Sequence, residues 1–311
     1  MSSGTGAEFR VTLDGSSTPS ILITNGGKDF EENDVITLAG VGSPDASSDI
    51  VFTVKSVAIG DVLYVKNGIY KENLPLKVTQ GVTVQGESLR GTEVRPNTGK
   101  GSQIATIDTI AGGGTSGQTP GTYYAHPTSS GSGLGAVLKV VQTGSGAPTV
   151  TLYHGGYNHV VNDTLTVASG DSGGGGDITC DVATLENNDA TNMFLVNNQT
   201  NITQMSLRQL SVIPVGGGTG KAAVVSLDPT GAITSVSPYM QNMSSFNTNA
   251  TGIQIDGNLH SSGNKSILAN DFTQINSDGK GVHAIAGGRG EMVSVFTYYC
   301  DKSFYCTSGG F

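Results

Sequence analysis

The sequence has no tryptophan, few charged residues and no long apolar run, and each shortage excludes a class of protein. Only 16 lysines and arginines stand among 25 acidic residues, for a net charge of -9, whereas nucleic-acid binding needs clustered basic residues. No apolar run approaches the ~20 residues of a membrane span. The first residues also lack the basic and apolar regions of a signal peptide. We therefore expect neither a nucleic-acid partner nor a membrane partner.

Cysteine is also scarce. Cys180, Cys300 and Cys306 are too few, and odd in number, for a disulfide framework. A zinc site would need more thiols or a nearby pair of histidines. Because cysteine is commonly buried as a small hydrophobe, we expect buried free thiols.

Glycine, in contrast, is abundant, with 46 of 311 residues, roughly twice the ordinary share of ~7%. Glycine, serine, threonine and asparagine interrupt the chain every few residues, which disfavours long helices. Disorder is disfavoured because 36% of the residues are hydrophobic and β-branched residues recur in short alternating runs. The composition predicts an all-β chain that is rich in turns.

One segment of the chain occurs twice. The aligned pairs are residues 4–11 with 133–140, 33–38 with 162–167 and, after a shift of one residue, 49–54 with 177–182. The shared order of short strands and Gly, Asn and Asp turns indicates the duplication of a small β unit, which we term a bead. We predict the first bead at residues 1–57 and an inserted second bead at residues 131–186.

Outside the beads, very short strands are separated by very short turns. This spacing is more typical of a solenoid than of a β-sandwich. Asparagine recurs at strand ends, where its tolerance of left-handed backbone lets a strand turn a corner. We predict the opening rungs of a parallel β-helix at residues 58–110, a Gly/Ser-rich linker at 111–130 and the continuation of the β-helix at 187–311.

Neither end of the sequence carries a recognisable cap. Solenoids need polar terminal caps, but the sequence ends on Gly309, Gly310 and Phe311, and Met1 lies almost directly before the first strand. Either the chain is a fragment of a longer protein, or partner subunits cover both ends. We favour the fragment.

Several segments resemble known β-helical proteins. Residues 68–76 and 81–86 resemble the opening rungs of pectin-lyase-like right-handed β-helices. Residues 237–246, 256–274 and 291–299 resemble the β-helical virion structural proteins of contractile-tailed marine cyanophages. The bead motif, Gly-x-Gly-Ala followed by an Asn-Asp turn, is similar to repeats in the large structural proteins of those phages.

The resemblance implies a right-handed parallel β-helix in the virion, as a non-enzymatic component of a tail, baseplate, neck or fibre. Its expected partners are further copies of itself and neighbouring virion proteins, with a trimer expected by analogy with phage fibres. The alternative is a tail protein that binds or depolymerises host surface glycans. We expect no catalytic residue, no cofactor and no metal.

Polysaccharide hydrolases and lyases also use β-helices, which makes carbohydrate chemistry an alternative for this chain. Polygalacturonase-type enzymes carry an Asp-Asp pair and a Gly-His-Gly element, and neither pattern occurs in this sequence. A pectate-lyase-type calcium cluster would have to come from Asp256, Asp271 and Asp278, with Arg289 as the base, and their spacing is not recognisable. We expect these carboxylates to cap turns.

The histidines form no recognisable site. They are His126, His154, His159, His260 and His283. His154 and His159 lie in one loop of the second bead, where the first bead has Asn25 and Phe30. Because a metal pair should persist in both copies, we expect surface histidines there, and for His260 and His283 no nucleophilic partner is indicated by spacing.

Two further features invite a binding site. Residues 216–222 resemble a phosphate-binding loop, but Val215 and Ala222 replace its glycine and its Ser/Thr, so a turn is expected there, as for 173–176 and 287–288. Aromatic residues could stack on glycans, but we favour packing between subunits for them. Because side chains alternate along a strand, we expect one ring of Tyr298 and Tyr299 to face the core. The aromatic candidates are Tyr123, Tyr124, Tyr153, Tyr157, Tyr298, Tyr299, Phe304 and Tyr305.

Overall fold

The computed structural model describes most of the chain as an all-β protein with a curled parallel sheet, so the predicted fold class is confirmed at that level. The described residues are 5–12, 20–28, 30, 33–39, 49–54, 62–78, 81–114, 116–197, 205–213, 222–230, 237–260 and 265–311. The chain divides into two compact units, residues 1–59 and 60–311. None of the described helices is long and apolar enough to cross a membrane.

The first unit holds two antiparallel strand pairs. Its strands are β1 (Thr5–Thr12), β2 (Ser20–Lys28), β3 (Val35–Leu38) and β4 (Ile50–Thr53). β1 pairs with β2, and β3 pairs with β4. Asn33 takes a left-handed conformation with φ 75°, and its N–H donates to the carbonyl of Val54 at 2.8 Å. The Asn-Asp turn thereby aligns β3 beside β4.

The second unit opens with five short strands. They are β5 (Val62–Val65), β6 (Gly68–Glu72), β7 (Leu76–Lys77), β8 (Thr83–Gly86) and β9 (Thr92–Pro96). β5 is parallel to β8, and β6 is parallel to β9. The chain therefore returns in the same direction before each new pairing. We term the parallel strands of the second unit, which lie within residues 62–96 and 194–307, the coil.

The second bead follows as two antiparallel sheets. Its strands are β10 (Lys100–Gly112), β11 (Gly121–Ala125), β12 (Thr128–Ser129), β13 (Leu134–Gln142), β14 (Thr149–Tyr157), β15 (Thr164–Val167) and β16 (Ile178–Asn187), with 3₁₀ helices at Ser169–Ser172 and Asn188–Ala190. One sheet has the order β10-β16-β15-β12, and the other has the order β11-β13-β14. Apolar side chains of both sheets form a core of their own, which includes Ile104, Leu138 and Ile178.

The two beads share their strand register. Every residue pair of β1 and β2 recurs in β13 and β14, 129 positions later. The same bulge interrupts both ladders, between Glu8 and Phe9 in the first and between Val137 and Leu138 in the second. Asn162, with φ 72°, repeats the left-handed residue of the Asn-Asp turn. The duplicated sequence therefore specifies the same local geometry twice.

The second bead also takes in residues outside its predicted limits. β10 pairs with β16, although residues 100–110 are predicted as opening rungs. β11 pairs with β13 and β12 with β15, although residues 111–130 are predicted as a linker. Thr122, Tyr123 and Tyr124 favour a strand, but the glycine and serine residues that flank these strands are typical of a linker. The sequence around β11 and β12 therefore does not indicate strands.

The chain then returns to the coil. Its strands are β17 (Phe194–Val196), β18 (Ser206–Arg208), β19 (Ser211–Val212), β20 (Ala223–Leu227), β21 (Tyr239–Thr248), β22 (Thr251–Asp256), β23 (Ser266–Ser277), β24 (Lys280–Ile285), β25 (Arg289–Tyr298) and β26 (Lys302–Thr307), with a 3₁₀ helix at Gly257–Leu259. One parallel sheet has the order β26-β24-β22-β20-β17-β7. In the other parallel sheet, β21 is long enough to pair with both β18 and β19. β23 pairs with β21, and β25 pairs with β23.

The second bead interrupts the sequence of the coil but not its ladders. β7 precedes the bead and β17 follows it, yet the two strands are parallel neighbours. β8 with β18 and β9 with β19 bridge the bead in the same way. Among the described strands, the parallel ladders therefore continue across the bead, from the strands before it to those after it.

Left-handed residues align at one corner of successive turns. Gln209, Asn242, Asp271 and Ser294 have φ of 53°, 50°, 54° and 51°. Each directly follows a residue in register with its neighbours on the adjacent strands. One such residue in each turn bends the strand without breaking the pairing on either side, and asparagine and aspartate tolerate this conformation best.

The core of the coil consists of inward-facing ladders between the two parallel sheets. Met243, Phe272 and Val295 are neighbours on β21, β23 and β25. The Phe272 side chain is fully buried. Buried and part-exposed residues alternate along β23, as expected for a sheet with one buried face, and the buried face includes the polar side chains of Gln274 and Asn276.

Candidate functional site

The acidic residues that could supply a calcium site lie at three different places on the coil. Asp256 ends β22, Asp271 lies at the corner within β23, and Asp278 follows β23 with φ 59°. Arg289 is ion-paired with Glu291 at 2.9 Å. Among the described residues, no group of three or more His, Cys, Asp or Glu side chains is arranged to hold a metal ion. Asp256 caps a turn as expected, because its Oδ1 accepts from the N–H of Asn258 at 2.9 Å.

Asp256 also takes part in a polar contact between the second bead and the coil. The Tyr153 hydroxyl on β14 donates to Asp256 Oδ2. Asn258 Nδ2 donates to the same hydroxyl at 3.1 Å, and the Tyr124 ring packs edge-on against Tyr153 at 4.7 Å between centroids. Burial and the hydrogen bond to Asp256 raise the pKa of Tyr153, so the phenol stays a neutral donor. This contact fixes β14 to the end of β22.

A second polar contact joins the bead to the coil through Lys77. Its Nζ lies 3.1 Å from Asp228 Oδ2 and donates to Thr230 Oγ1 at 2.9 Å and to the Tyr157 hydroxyl. Thr230 Oγ1 donates to Asp228 Oδ1 at 2.7 Å. Burial lowers the pKa of Lys77, but the Tyr157 hydroxyl and the Asp228 carboxylate outweigh it and raise the pKa overall. Lys77 is therefore a cation that holds β7, β14 and the turn after β20 together.

Removal of the Lys77 charge is expected to destabilise the second unit by about 2–3 kcal/mol, because Asp228 is fully buried and would lose its only ion pair among the described residues. The figure is below that for a wholly buried pair because the Lys77 side chain is 30% exposed. Chemical denaturation of Lys77→Met measures it. The matched control is Lys66→Met, whose pair with Glu87 is exposed and whose loss should cost no more than about 0.5 kcal/mol. Equal losses in both variants would contradict this role of Lys77.

Three histidines cluster at the same junction. His126 of the bead interacts electrostatically with both His154 and His260. Burial lowers the pKa of all three, and that of His260 falls to about 4. Asn192 connects His154 to the coil, since its Nδ2 lies 3.3 Å from His154 Nε2 and its Oδ1 accepts from the N–H of Ala223 at 2.8 Å. Burial in this cluster therefore favours the neutral form of all three imidazoles.

The predicted surface placement of His154 and His159 is wrong. His154 is part-buried at the junction, and His159 is buried within the bead beside Asp163. The two residues do not share a loop either, because His154 lies on β14. His159 lies in the loop after β14, which folds inward against the start of β13, where Gly133 leaves room for the His159 ring. His283 is part-buried and stacks on Tyr305 at 4.9 Å between centroids.

The cysteines divide between the core and the surface. Cys180 is buried, and burial raises the pKa of its thiol to about 11, so it behaves as the predicted small hydrophobe. Cys306 is exposed and Cys300 is part-exposed, so the prediction of buried thiols is wrong for Cys306. All three are free thiols, as predicted. The exposed one, Cys306, lies on β26, the last described strand of its sheet.

An apolar cavity of ≈640 Å³ lies at the first turn of the coil. Val84 and Val94 line it, together with Phe194. Val84 pairs with Leu63 on one side and Leu207 on the other, and Val94 pairs in the same way with Tyr70 and Val212. The cavity is therefore the end of the coil's own core, and Lys66, Glu72 and Lys77 also contribute to its lining.

An outward-facing apolar row crosses the last turns of the coil. Phe246, Ile275 and Tyr298 are direct neighbours on β21, β23 and β25, and we term this row the outer ladder. Phe246 is 55% exposed and Tyr298 is 48% exposed. Each member lies four positions after a left-handed corner residue, which is Asn242, Asp271 or Ser294. This constant spacing is a sequence signal that could have identified the outer ladder. Side chains spaced by a strand separation of about 4.8 Å form a continuous ridge.

The aromatic candidates are used in different ways. Tyr153, Tyr157 and Tyr124 pack at the junction, while Tyr123 donates to the carbonyl of Thr119 at 3.0 Å. Phe304 is exposed. Tyr298 and Tyr299 are both exposed, so the expectation that one ring faces the core is wrong: β25 ends at Tyr298, and the left-handed φ of 59° at Tyr299 breaks the alternation.

The glycine-rich segments are described only in part. Residues 216–221 of the phosphate-loop-like segment lie outside the described residues, and Ala222 is buried at the start of β20. Residues 173–176 form a loop in which all four glycines have positive φ. Residues 287–288 connect β24 to β25.

No protein-family model matches the chain, and no curated protein matches it.

Proposed function

We propose that the chain is a non-enzymatic virion structural protein, a stiff component of a phage tail, baseplate, neck or fibre, built on a right-handed parallel β-helix. The observation that carries the proposal is the unbroken parallel ladder from β7 to β26, which continues past an inserted bead. The resemblance of residues 237–246, 256–274 and 291–299 to cyanophage virion proteins supports the same assignment.

Stiffness follows from the way the backbone is hydrogen-bonded. In a parallel coil every turn pairs with the turn before and the turn after, so bending the rod stretches many backbone hydrogen bonds at once. The Lys77 and Tyr153 contacts fix the second bead to the coil at two points. The bead is therefore carried as a rigid lateral projection, which suits it to contact neighbouring subunits.

Self-association is the expected partnership, and the outer ladder is its proposed contact. A ridge of aromatic and aliphatic side chains on an otherwise polar sheet face is a typical core of a subunit interface. Phe296, 54% exposed, lies two residues from Tyr298 and widens the ridge. Three copies packed about these ridges would form the trimer expected for a fibre, with polar neighbouring positions at the rim.

Substitution of the central member of the ladder tests this contact. Ile275→Lys is expected to weaken self-association by at least about tenfold, because a lysine charge would have to be desolvated in the interface. Sedimentation velocity over a range of concentrations measures the change. The control is Ile110→Lys, an exposed isoleucine of the bead outside the ladder. A wild-type chain that is monomeric at all concentrations, or equal weakening by both variants, would overturn the contact.

Glycan binding or depolymerisation is the second candidate, favoured by the exposed rings of Phe296, Tyr298 and Tyr299. Incubation with host lipopolysaccharide or capsule, followed by an assay for new reducing ends, separates the two functions. The structural proposal predicts no new ends. Cleavage that disappears in Asp256→Asn or Asp271→Asn would overturn the structural proposal in favour of a depolymerase.

A further inference from the structure

The second bead is joined to the coil by side chains and not by a shared sheet. Among the described residues, each sheet of the second unit consists either of bead strands alone or of coil strands alone. The bead also has its own apolar core, and the buried side chains grouped in it all belong to the bead. In the other direction, the bead gives the core of the coil the buried Val137, with Tyr124 and Tyr153 packed beside it. Separation of bead and coil would therefore break no described ladder in either.

The backbone enters and leaves the second bead at one place, which we term the neck. Lys100 and Asn187 are paired across β10 and β16, and the N–H of Asn188 donates to the carbonyl of Gly99 at 2.9 Å. Asn188 Oδ1 accepts from the N–H of Leu74 in the coil at 2.7 Å. Gly99 has φ 92°, a conformation that glycine adopts far more readily than other residues. The neck is therefore a narrow attachment about which the rest of the bead can turn.

Away from the neck, side-chain hydrogen bonds of two tyrosines hold the bead. The Tyr157 hydroxyl accepts from Lys77 Nζ of the coil, and the Tyr153 hydroxyl donates to Asp256 Oδ2. Asn258 Nδ2 donates to the Tyr153 hydroxyl as well, at 3.1 Å. Because the contacts are few and polar, a change of charge at the junction is enough to shift the balance between a docked and a released bead.

Histidines lie on both sides of this junction. His126 and His154 belong to the bead and His260 to the coil, and His126 interacts electrostatically with the other two. Burial is the largest influence on all three and lowers their pKa, so a state that exposes them favours protonation. The other titratable or charged side chains that act on them or lie at the junction are Lys77, Tyr124, Tyr153, Tyr157, Asp171, Asp228, Asp256 and Lys265.

We propose that the junction is a pH-sensitive switch: at neutral pH it docks the second bead against the coil, and protonation of His126, His154 and His260 releases the bead, which then turns about the neck with its own core intact. Release changes the direction of the projection and exposes the faces that bead and coil cover in each other. The switch depends only on contacts within the second unit and holds for any assembly that the chain forms.

The direction of the switch follows from proton binding. The released bead binds protons that the docked bead excludes, so the ratio of released to docked molecules rises as the pH falls below 6.5. The pKa of His260 is about 4 in the docked state, so this histidine continues to favour release down to that pH. We expect the ratio to rise at least about tenfold between pH 7 and pH 4.5.

Two spin labels measure the position of the bead in the full chain. Ile110→Cys of the bead and Val293→Cys of the coil place them at residues that are 48% and 55% exposed, and Cys300→Ser with Cys306→Ser removes the accessible native thiols. Dilution with unlabelled chain restricts pulsed electron paramagnetic resonance to distances within one molecule. We expect one narrow distance distribution at pH 7 and a second, broad one at pH 4.5, with unchanged far-UV circular dichroism. The same distribution at both pH values, or broadening together with loss of the strand signal, would overturn the proposal.

Three substitutions in the labelled chain separate the switch from a general effect of acid. His260→Gln removes a proton acceptor of the junction and should reduce the rise in the released-to-docked ratio by at least about threefold. Tyr153→Phe removes the donor to Asp256 but no histidine, so the bead should be released at a higher pH than in wild type. The control is His283→Gln, a coil histidine that stacks on Tyr305, and it should respond as wild type does. The same pH response in all three variants would contradict the switch.

Discussion

Replacement of Phe272 with alanine is expected to lower the free energy of unfolding of the second unit by about 3–5 kcal/mol, more than the loss of the Lys77 charge. Phe272 is fully buried between Met243 and Val295 on the neighbouring strands. The ladders hold these strands about 4.8 Å apart, so the walls of the vacated space cannot close. Urea or guanidinium denaturation, followed by far-UV circular dichroism, measures the loss.

The matched control is Phe296→Ala on the adjacent strand. Phe296 lies in register beside Thr273 and is 54% exposed, so its removal should change the stability by no more than about 0.5 kcal/mol. A variant that self-associates less would be compared at a concentration where both chains are monomeric. Similar losses at the two positions would contradict the assignment of inward and outward faces on which the coil is built.

Acidification is expected to destabilise the second unit by about 2–3 kcal/mol between pH 7 and pH 4.5 through His260 alone. Burial lowers the pKa of His260 to about 4, from an ordinary value of 6.5, and Asp228 opposes the shift only in part. Below pH 6.5 the unfolded chain therefore binds a proton at His260, whereas the folded chain binds it only below about pH 4. The stability that the neutral His260 contributes is fully present above pH 6.5, and it is lost as the pH falls from 6.5 to about 4.

His126 and His154 should add to the acid loss, since burial lowers the pKa of both at the same junction. The carboxylates of Asp171, Asp228 and Asp256 and the amine of Lys265 are the other charges that act on this cluster. Denaturation curves at steps from pH 7 to pH 4.5 measure the loss in wild type and in His260→Gln. The variant should show a clearly shallower pH dependence. Identical slopes in the two proteins would contradict the burial of a neutral His260.

The sequence predicts the all-β class and the paired beads because both depend on local patterns. The alternation of β-branched residues defines strands, and the Gly-x-Gly-Ala and Asn-Asp motifs recur with their spacing intact. The sequence assigns β10 to the opening rungs and not to the bead, and it misses β11 and β12 because glycine and serine surround them. Their strand state is decided by pairing with β13, β15 and β16, which follow later in the chain.

The junction could not be predicted from the sequence because its members are far apart along the chain. Lys77 and Asp228 are separated by the whole second bead and meet only because β7 and β17 are neighbours across it. The burial of His159 depends in the same way on the space beside Gly133. The outer ladder is different. Its fixed offset from Asn242, Asp271 and Ser294 is visible in the sequence once the corners are known.

The proposed function requires a place in the virion, and quantitative mass spectrometry of purified virions tests this requirement. The virions would come from a contractile-tailed cyanophage that encodes this sequence, with isotope-labelled peptides from residues 62–311 as standards. The proposal predicts that these peptides remain with the particle through density-gradient purification, at a fixed copy number that is a multiple of three. Absence from the particle, with the protein recovered only from the unassembled fraction of the lysate, would contradict it.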